Sequence, residues 1–149
     1  MWLRRGTGAL SFLSLLLFGS SCTPFASERE IGGEGERTIL QIKTLKSTNQ
    51  GTPFYVVLKF TDFPNFLGED YQAIARLGEE EGEDYKSFCV IPGMTKTIKI
   101  KPHKEKYAAV YFLFTNPSED WKYLIEPQEN VKNISISLGV HEINHIKTW

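Results

Sequence analysis

Residues 107–114 read Tyr-Ala-Ala-Val-Tyr-Phe-Leu-Phe, a run of apolar and aromatic side chains without a charge. Crossing a bilayer as a helix takes roughly 20 such residues, so this run is too short to span one. Bounded by the turn formers Asn116-Pro117-Ser118, it fits a central β-strand covered on both faces. A strand of that kind needs neighbours on both sides and a layer above and below. The rest of the chain has to supply them.

Downstream, Trp121 to Ile125 forms another short strand, and Ile134, Ile136, Leu138 and Val140 alternate through a last one. Upstream, Thr95 to Lys101 places Ile98 and Ile100 on one face and Thr97, Lys99 and Lys101 on the other, which gives that sheet one wet face. Pro92-Gly93 turns the chain back to a strand over Tyr85 to Ile91. Phe54 to Phe60, rich in β-branched and aromatic residues, is a further strand. Ile39, Leu40, Ile42 and Leu45 mark the first. Between Pro64 and Leu77 the period changes: Phe63, Phe66 or Leu67, Tyr71, Ile74 and Leu77 are spaced by three or four, the stripe of one amphipathic helix. Glu69 and Asp70 suit its first turn, where the helix dipole favours negative charge, and Gly78 suits its end. Glu79 to Asp84 is dense in carboxylates and lacks the alternation of a calcium loop, so it reads as a solvated loop. Together these segments describe a mainly β chain, an antiparallel β-sandwich of about seven to eight strands with one helical insertion.

The whole sequence has 149 residues, 41% hydrophobic, 13% aromatic and 23% charged, with a formal net charge of −1. That length holds one domain, and that aromatic content excludes disorder over most of the chain. A near-neutral balance provides no basic field for nucleic acid. The first residues are an address: Arg4 and Arg5 precede the apolar stretch Ala9 to Phe18, followed by Gly19-Ser20-Ser21-Cys22. The small residues before Cys22 resemble a bacterial lipobox, with Gly19 standing where Leu is usual. The expected division is a lipoprotein signal peptide over 1–21, a lipidated Cys22 with a tether over 22–37, and a β-sandwich domain over 38–149. Gly, Glu and Pro dominate residues 23–37, the composition of a flexible link with a root-mean-square reach of roughly 20 Å. Cys89, within Phe88-Cys89-Val90-Ile91, reads as a small buried residue, which leaves Cys22 as the acceptor of acyl chains such as palmitate. Thr23 follows it; resemblance to Gram-negative lipoproteins, in which Asp at that place signals retention at the inner membrane, implies the outer membrane as the expected location.

His141-Glu142-Ile143-Asn144-His145 spells H-E-x-x-H, whose zinc chemistry requires a helix that brings both imidazoles to one metal, with the glutamate as general base. The preceding residues alternate as a strand. If that strand continued, His141 and His145 would stand about 13 Å apart at roughly 3.3 Å per residue. No metal or other cofactor is therefore expected, and His141, Glu142 and His145 are weak candidates only. No nucleophile elbow or phosphate loop occurs, and the apolar neighbours of Cys89 would raise a thiol pKa rather than lower it. Trp121 and Tyr123 suit packing.

The order of these pieces resembles the outer-membrane lipoprotein family of type VI secretion systems, TssJ or SciN. After Cys22 and the link come a strand, an Asn-x-Gly-x-Pro loop at Asn49, Gly51 and Pro53, and a second strand. Phe66, Asp70, Tyr71 and Ile74 fit an F-x-x-x-D-[FY]-x-x-L helix, Val90-Ile91-Pro92-Gly93 fits an apolar-apolar-P-G turn, and Tyr107 to Phe114 followed by Trp121-Lys122 fits an apolar strand before a W-[RK] pair. The resemblance implies a transthyretin-like sandwich without enzymatic activity. It also implies a structural role in an envelope complex, with the domain facing the periplasm and holding the periplasmic domain of a TssM-like inner-membrane subunit. The contact would fall on Asn49, Gln50, Gly51 and Thr52, with Pro53 shaping the loop. Two other classes fit the bare sequence: a lipoprotein binding a small ligand or carbohydrate between its sheets, and the H-E-x-x-H zinc hydrolase.

Overall fold

The computed structural model describes residues 37–80, 82–101, 103, 105–126 and 133–149. Eight strands form two four-stranded sheets. In chain order they are β1 (Thr38–Lys43), β2 (Phe54–Thr61), β3 (Tyr85–Val90), β4 (Thr95–Ile100), β5 (Tyr107–Leu113), β6 (Lys122–Ile125), β7 (Asn133–Leu138) and β8 (Ile143–Thr148). One sheet runs β4-β1-β7-β8 and the other β3-β2-β5-β6. The second is wholly antiparallel. In the first, β1 and β7 run parallel, Leu40 beside Ile134 and Ile42 beside Ile136, a departure from the all-antiparallel expectation. Alternation along a strand decides which face is buried and is silent on the direction of its neighbour.

Alternate residues of both sheets meet in one core: Leu40, Ile42, Val56, Leu58, Ile134 and Ile136 are buried between them together with Phe112 and Phe114. The uncharged run that begins at Tyr107 forms β5, central in its sheet, and Tyr111 and Phe112 on its opposite faces are both 0% exposed. What covers Tyr111 is the helical insertion, which consists of two short helices rather than one. These are α1 (Phe63–Gly68), capped by Asp62 through Asn65 N at 2.8 Å, and α2 (Tyr71–Leu77), capped by Asp70 through Ala73 N at 2.9 Å. Glu69 between them is extended (φ −70°, ψ 120°). Ile74 is buried, with Phe66, Tyr71 and Leu77 packed against the core, while Phe63 and Leu67 face outward.

Two further differences concern strand ends. Leu45 lies beyond β1 and is 54% exposed. The last alternating run stops at Leu138; Gly139 to Glu142 turn, and the chain returns as β8 along β7. Ile143 pairs with Leu138 and Ile146 with Ile136, with an irregularity between Ser137 and Leu138 that leaves Asn144 as the extra residue. That bulge sets two core-facing isoleucines three positions apart, a spacing that does not read as a strand.

Candidate functional site

Four connections gather at one end of the sandwich: 44–53 between β1 and β2, 91–94 between β3 and β4, 114–121 between β5 and β6, and 139–142 between β7 and β8. The first of them ties the others together. Thr44 Oγ1 donates to Met94 O at 2.8 Å and accepts from Met94 N at 3.1 Å, and Gly93 N donates to Leu45 O at 3.0 Å. Gly93 is left-handed (φ 83°), the conformation that favours glycine, and a Cβ there would sit tightly against Lys46 Cγ at 3.1 Å.

Thr48 and Asn49 are buried, with Asn49 1% exposed. Asn49 N donates to Val140 O at 2.7 Å, its Nδ2 donates to Thr52 O at 3.0 Å, and its Oδ1 accepts from Thr115 N at 2.7 Å. One residue thus joins three connections. Its backbone is left-handed, φ 48°, and so are Gln50 at φ 56° and Gly51 at φ 77°. For an L-residue that conformation costs about 1–2 kcal/mol, least for Asn. The internal hydrogen bonds of Asn49 offset its share. Gln50 is exposed, and its side chain makes no hydrogen bond among the described residues. Strain at an exposed residue held by a rigid frame points to a role for the shape it presents.

Of the loop residues singled out in the sequence, the structure therefore divides Asn49 from the rest. Its polar atoms are committed inside, whereas Gln50, Gly51, Thr52 and Pro53 stand in solvent. Around them lie three apolar side chains that the sequence reading did not select: Leu45 (54% exposed), Met94 (59%) and Val140 (40%). Exposed charges of both signs, Lys43, Lys46, Glu119, Asp120 and Glu142, complete the perimeter. The arrangement is a stiff surface of mixed apolar and charged side chains.

Residues of the helix and W-[RK] motifs form a second cluster, over the outer face of β5. Glu69 accepts from Lys59 Nζ and from Tyr111 OH. Lys122 Nζ donates to Phe66 O at 2.7 Å and Glu69 O at 3.0 Å, closing the end of α1, and lies 4.8 Å from the Phe66 ring centre. Tyr71 sets its ring edge against Trp121 at 5.0 Å and donates to Phe114 O. Burial raises the Tyr111 phenol pKa, and the Glu69 carboxylate raises it further; burial also raises that of Tyr71. This cluster holds the helices to the sheet. The break at Glu69 is what lets its carboxylate turn inward.

His141 lies in the turn before β8 and His145 on β8 opposite Ser137, so the helix that H-E-x-x-H chemistry needs is not formed. Among the described residues no group of three or more His, Cys, Asp or Glu is placed to hold a metal. The space between the sheets, where a small ligand would have been expected, is filled by Val56, Leu58, Phe112 and Ile136 at 0% exposure. A surface groove of about 440 Å³ lies instead between α1 and the end of β2, lined by Lys59, Asp62, Asn65, Glu69 and Lys106. Cys89 is half-buried on the outer face of β3 rather than fully buried. Cys22 lies outside the described residues.

A family model described as "IglE, N-terminal domain" matches residues 55–138, more than half of the chain, and the chain belongs to that family. No curated protein matches the sequence. Among solved structures, the T6SS lipoprotein TssJ1 from Pseudomonas aeruginosa superposes with a TM-score of 0.60 at 17% identity, over 76% of this chain and 95% of that one. Serratia marcescens Lip, described as a membrane-bound component of the type VI secretion system, gives 0.60 at 16% identity, over 77% and 98%. A chain described as the T6SS protein TssM C-terminal domain from EAEC gives 0.52 at 16% identity, over 76% and 97%. The fold is therefore TssJ-like, in agreement with the resemblance read from the motifs.

Proposed function

We propose that this protein is a non-catalytic, lipid-anchored subunit of a type VI secretion membrane complex, held in the outer membrane through acylated Cys22. In this reading its loop end holds the periplasmic domain of a TssM-like inner-membrane subunit. The observation that carries the proposal is the exposed, left-handed Gln50–Gly51 tip fixed on buried Asn49. A pre-shaped loop binds without a large ordering cost, since the frame has already removed its freedom. The descriptions of the fold neighbours, two lipoproteins of that system and a TssM domain, are consistent with that class of partner.

Two measurements test it. Replacing Gln50 and Thr52 together by Ala is expected to weaken binding of the purified TssM-like periplasmic domain at least tenfold with little change in melting temperature; unchanged affinity would remove the loop assignment. The mass of the N-terminal peptide from envelope-extracted protein tests the anchor. A thioether to lipid and a disulfide through the same sulfur exclude one another, so a diacylglyceryl Cys22 peptide is expected, and a Cys22 peptide linked to that of Cys89 would contradict it.

A further inference from the structure

The end of the sandwich opposite the loops carries the start of β1, the ends of β2 and β8, and the connection 101–106. β1 begins at this end, so the sequence that precedes it, with Cys22, is joined to the domain here. Two large aromatic side chains are exposed here, on opposite sheets. Trp149, 53% exposed, exchanges backbone hydrogen bonds with Asn133 at 3.1 and 3.2 Å; Asn133 in turn pairs with Ile39 near the start of β1. Phe63, 50% exposed, opens α1 directly after β2, and Leu67, 61% exposed, follows one turn later on the same helix face.

From these positions we infer that this end is a membrane-docking face: Trp149 and Phe63 seat in the headgroup layer of the phospholipid leaflet that holds the anchor. The inference rests on the anchored reading above. Tryptophan and other aromatic residues favour the boundary between headgroups and acyl chains. Charge does not provide the attraction, because among the described residues Arg37, Lys101, Lys106 and Lys147 are matched by Asp62, Asp84, Glu105 and Glu126. The attachment does. The short link between Cys22 and β1 keeps the domain at a high effective concentration near the surface, so even weak insertion of two aromatics is populated. Docking here also sets the direction of the molecule. The full length of β1 then separates Gln50 from the bilayer and points it at a partner.

The sequence offers a direct reading. Tryptophan occurs at positions 2, 121 and 149, of which position 2 belongs to the expected signal peptide and Trp121 is 9% exposed. Acylated protein reconstituted into phosphatidylethanolamine–phosphatidylglycerol vesicles containing brominated lipid is expected to lose about half of its tryptophan emission. The quenched component should be absent in Trp149→Phe and reduced at least twofold in Phe63→Ser. Emission that brominated lipid leaves unchanged, in protein that floats with the vesicles, would overturn the docking face while leaving the anchor intact. Protein that carries the wild-type N-terminus but neither acyl chains nor vesicle binding would overturn the anchor, and the docking face with it. Trp149→Phe is at an exposed site and is expected to fold, as its melting curve would verify.

Discussion

The two ends of the sandwich expose apolar side chains in similar measure, yet they are built in opposite ways. At the loop end, Thr44 and Asn49 turn their polar atoms onto the backbones of neighbouring connections, Thr48 Oγ1 accepts from Leu45 N within its own, and strained residues are held in place by that frame. At the other end the exposed Phe63 and Trp149 are carried by a short helix and a strand terminus, and the connection 101–106 is tied by a long surface ion pair, Lys106 to Asp84 at 3.6 Å. The first construction suits recognition of a shape. The second suits a soft surface with no fixed geometry, which is what a lipid headgroup layer is.

Substitutions in the two regions should separate them, and the largest effect is expected at the loop frame. Asn49→Ala removes the Thr115 and Thr52 contacts and leaves an alanine in left-handed backbone, so a loss of about 3 kcal/mol in chemical denaturation is expected. A loss below about 1 kcal/mol would mean that the frame does not hold the loop. Next comes Lys122→Met, which uncaps the C-terminal end of α1; about 2 kcal/mol is expected from unpaired helix carbonyls. That variant should leave partner binding through the loop end unaltered.

Smaller and of opposite sign is Gln50→Gly. Glycine accepts the left-handed conformation freely, so this variant is expected to gain about 1 kcal/mol in stability. If the side chain of Gln50 contributes to recognition, the same variant should bind the partner less well, a trade that a purely structural turn would not show. The smallest effect is in alkali. Tyr111 and Tyr71 have raised phenol pKa values in the folded state, so above pH about 10 the unfolded chain releases protons that the native chain keeps. Stability should therefore be fully present below that pH and fall as pH rises through and beyond it, less steeply in Tyr111→Phe.

How much of this was legible in the sequence depends on the length scale of each feature. Strands β2, β4, β5 and β6 were readable because apolar runs and alternation are local patterns. β8 was not, since the bulge at Asn144 moves Ile143 and Ile146 out of alternation. The helical stripe holds for Phe66, Tyr71, Ile74 and Leu77 but not for Phe63, and its break at Glu69 depends on contacts with Lys59 and Tyr111 that are distant in sequence. For the loop, Asn-x-Gly-x-Pro gave the position through a family likeness, and the left-handed backbone explains why Asn and Gly suit it. The burial of Asn49 was hidden, because it arises from Thr115 and Val140, far along the chain. Leu45, Met94 and Val140 were likewise invisible as a group. Only the topology brings their turns to one end.

The most direct test of the central claim, that the loop end holds a protein and the opposite end faces lipid, is photocrosslinking in intact cells from a reactive amino acid placed either at position 50 or at position 149. Adducts are expected from position 50 to a large inner-membrane protein through its periplasmic domain, with no adduct to that protein from position 149. The reverse pattern, or equal capture of the same protein from both positions, would contradict that claim.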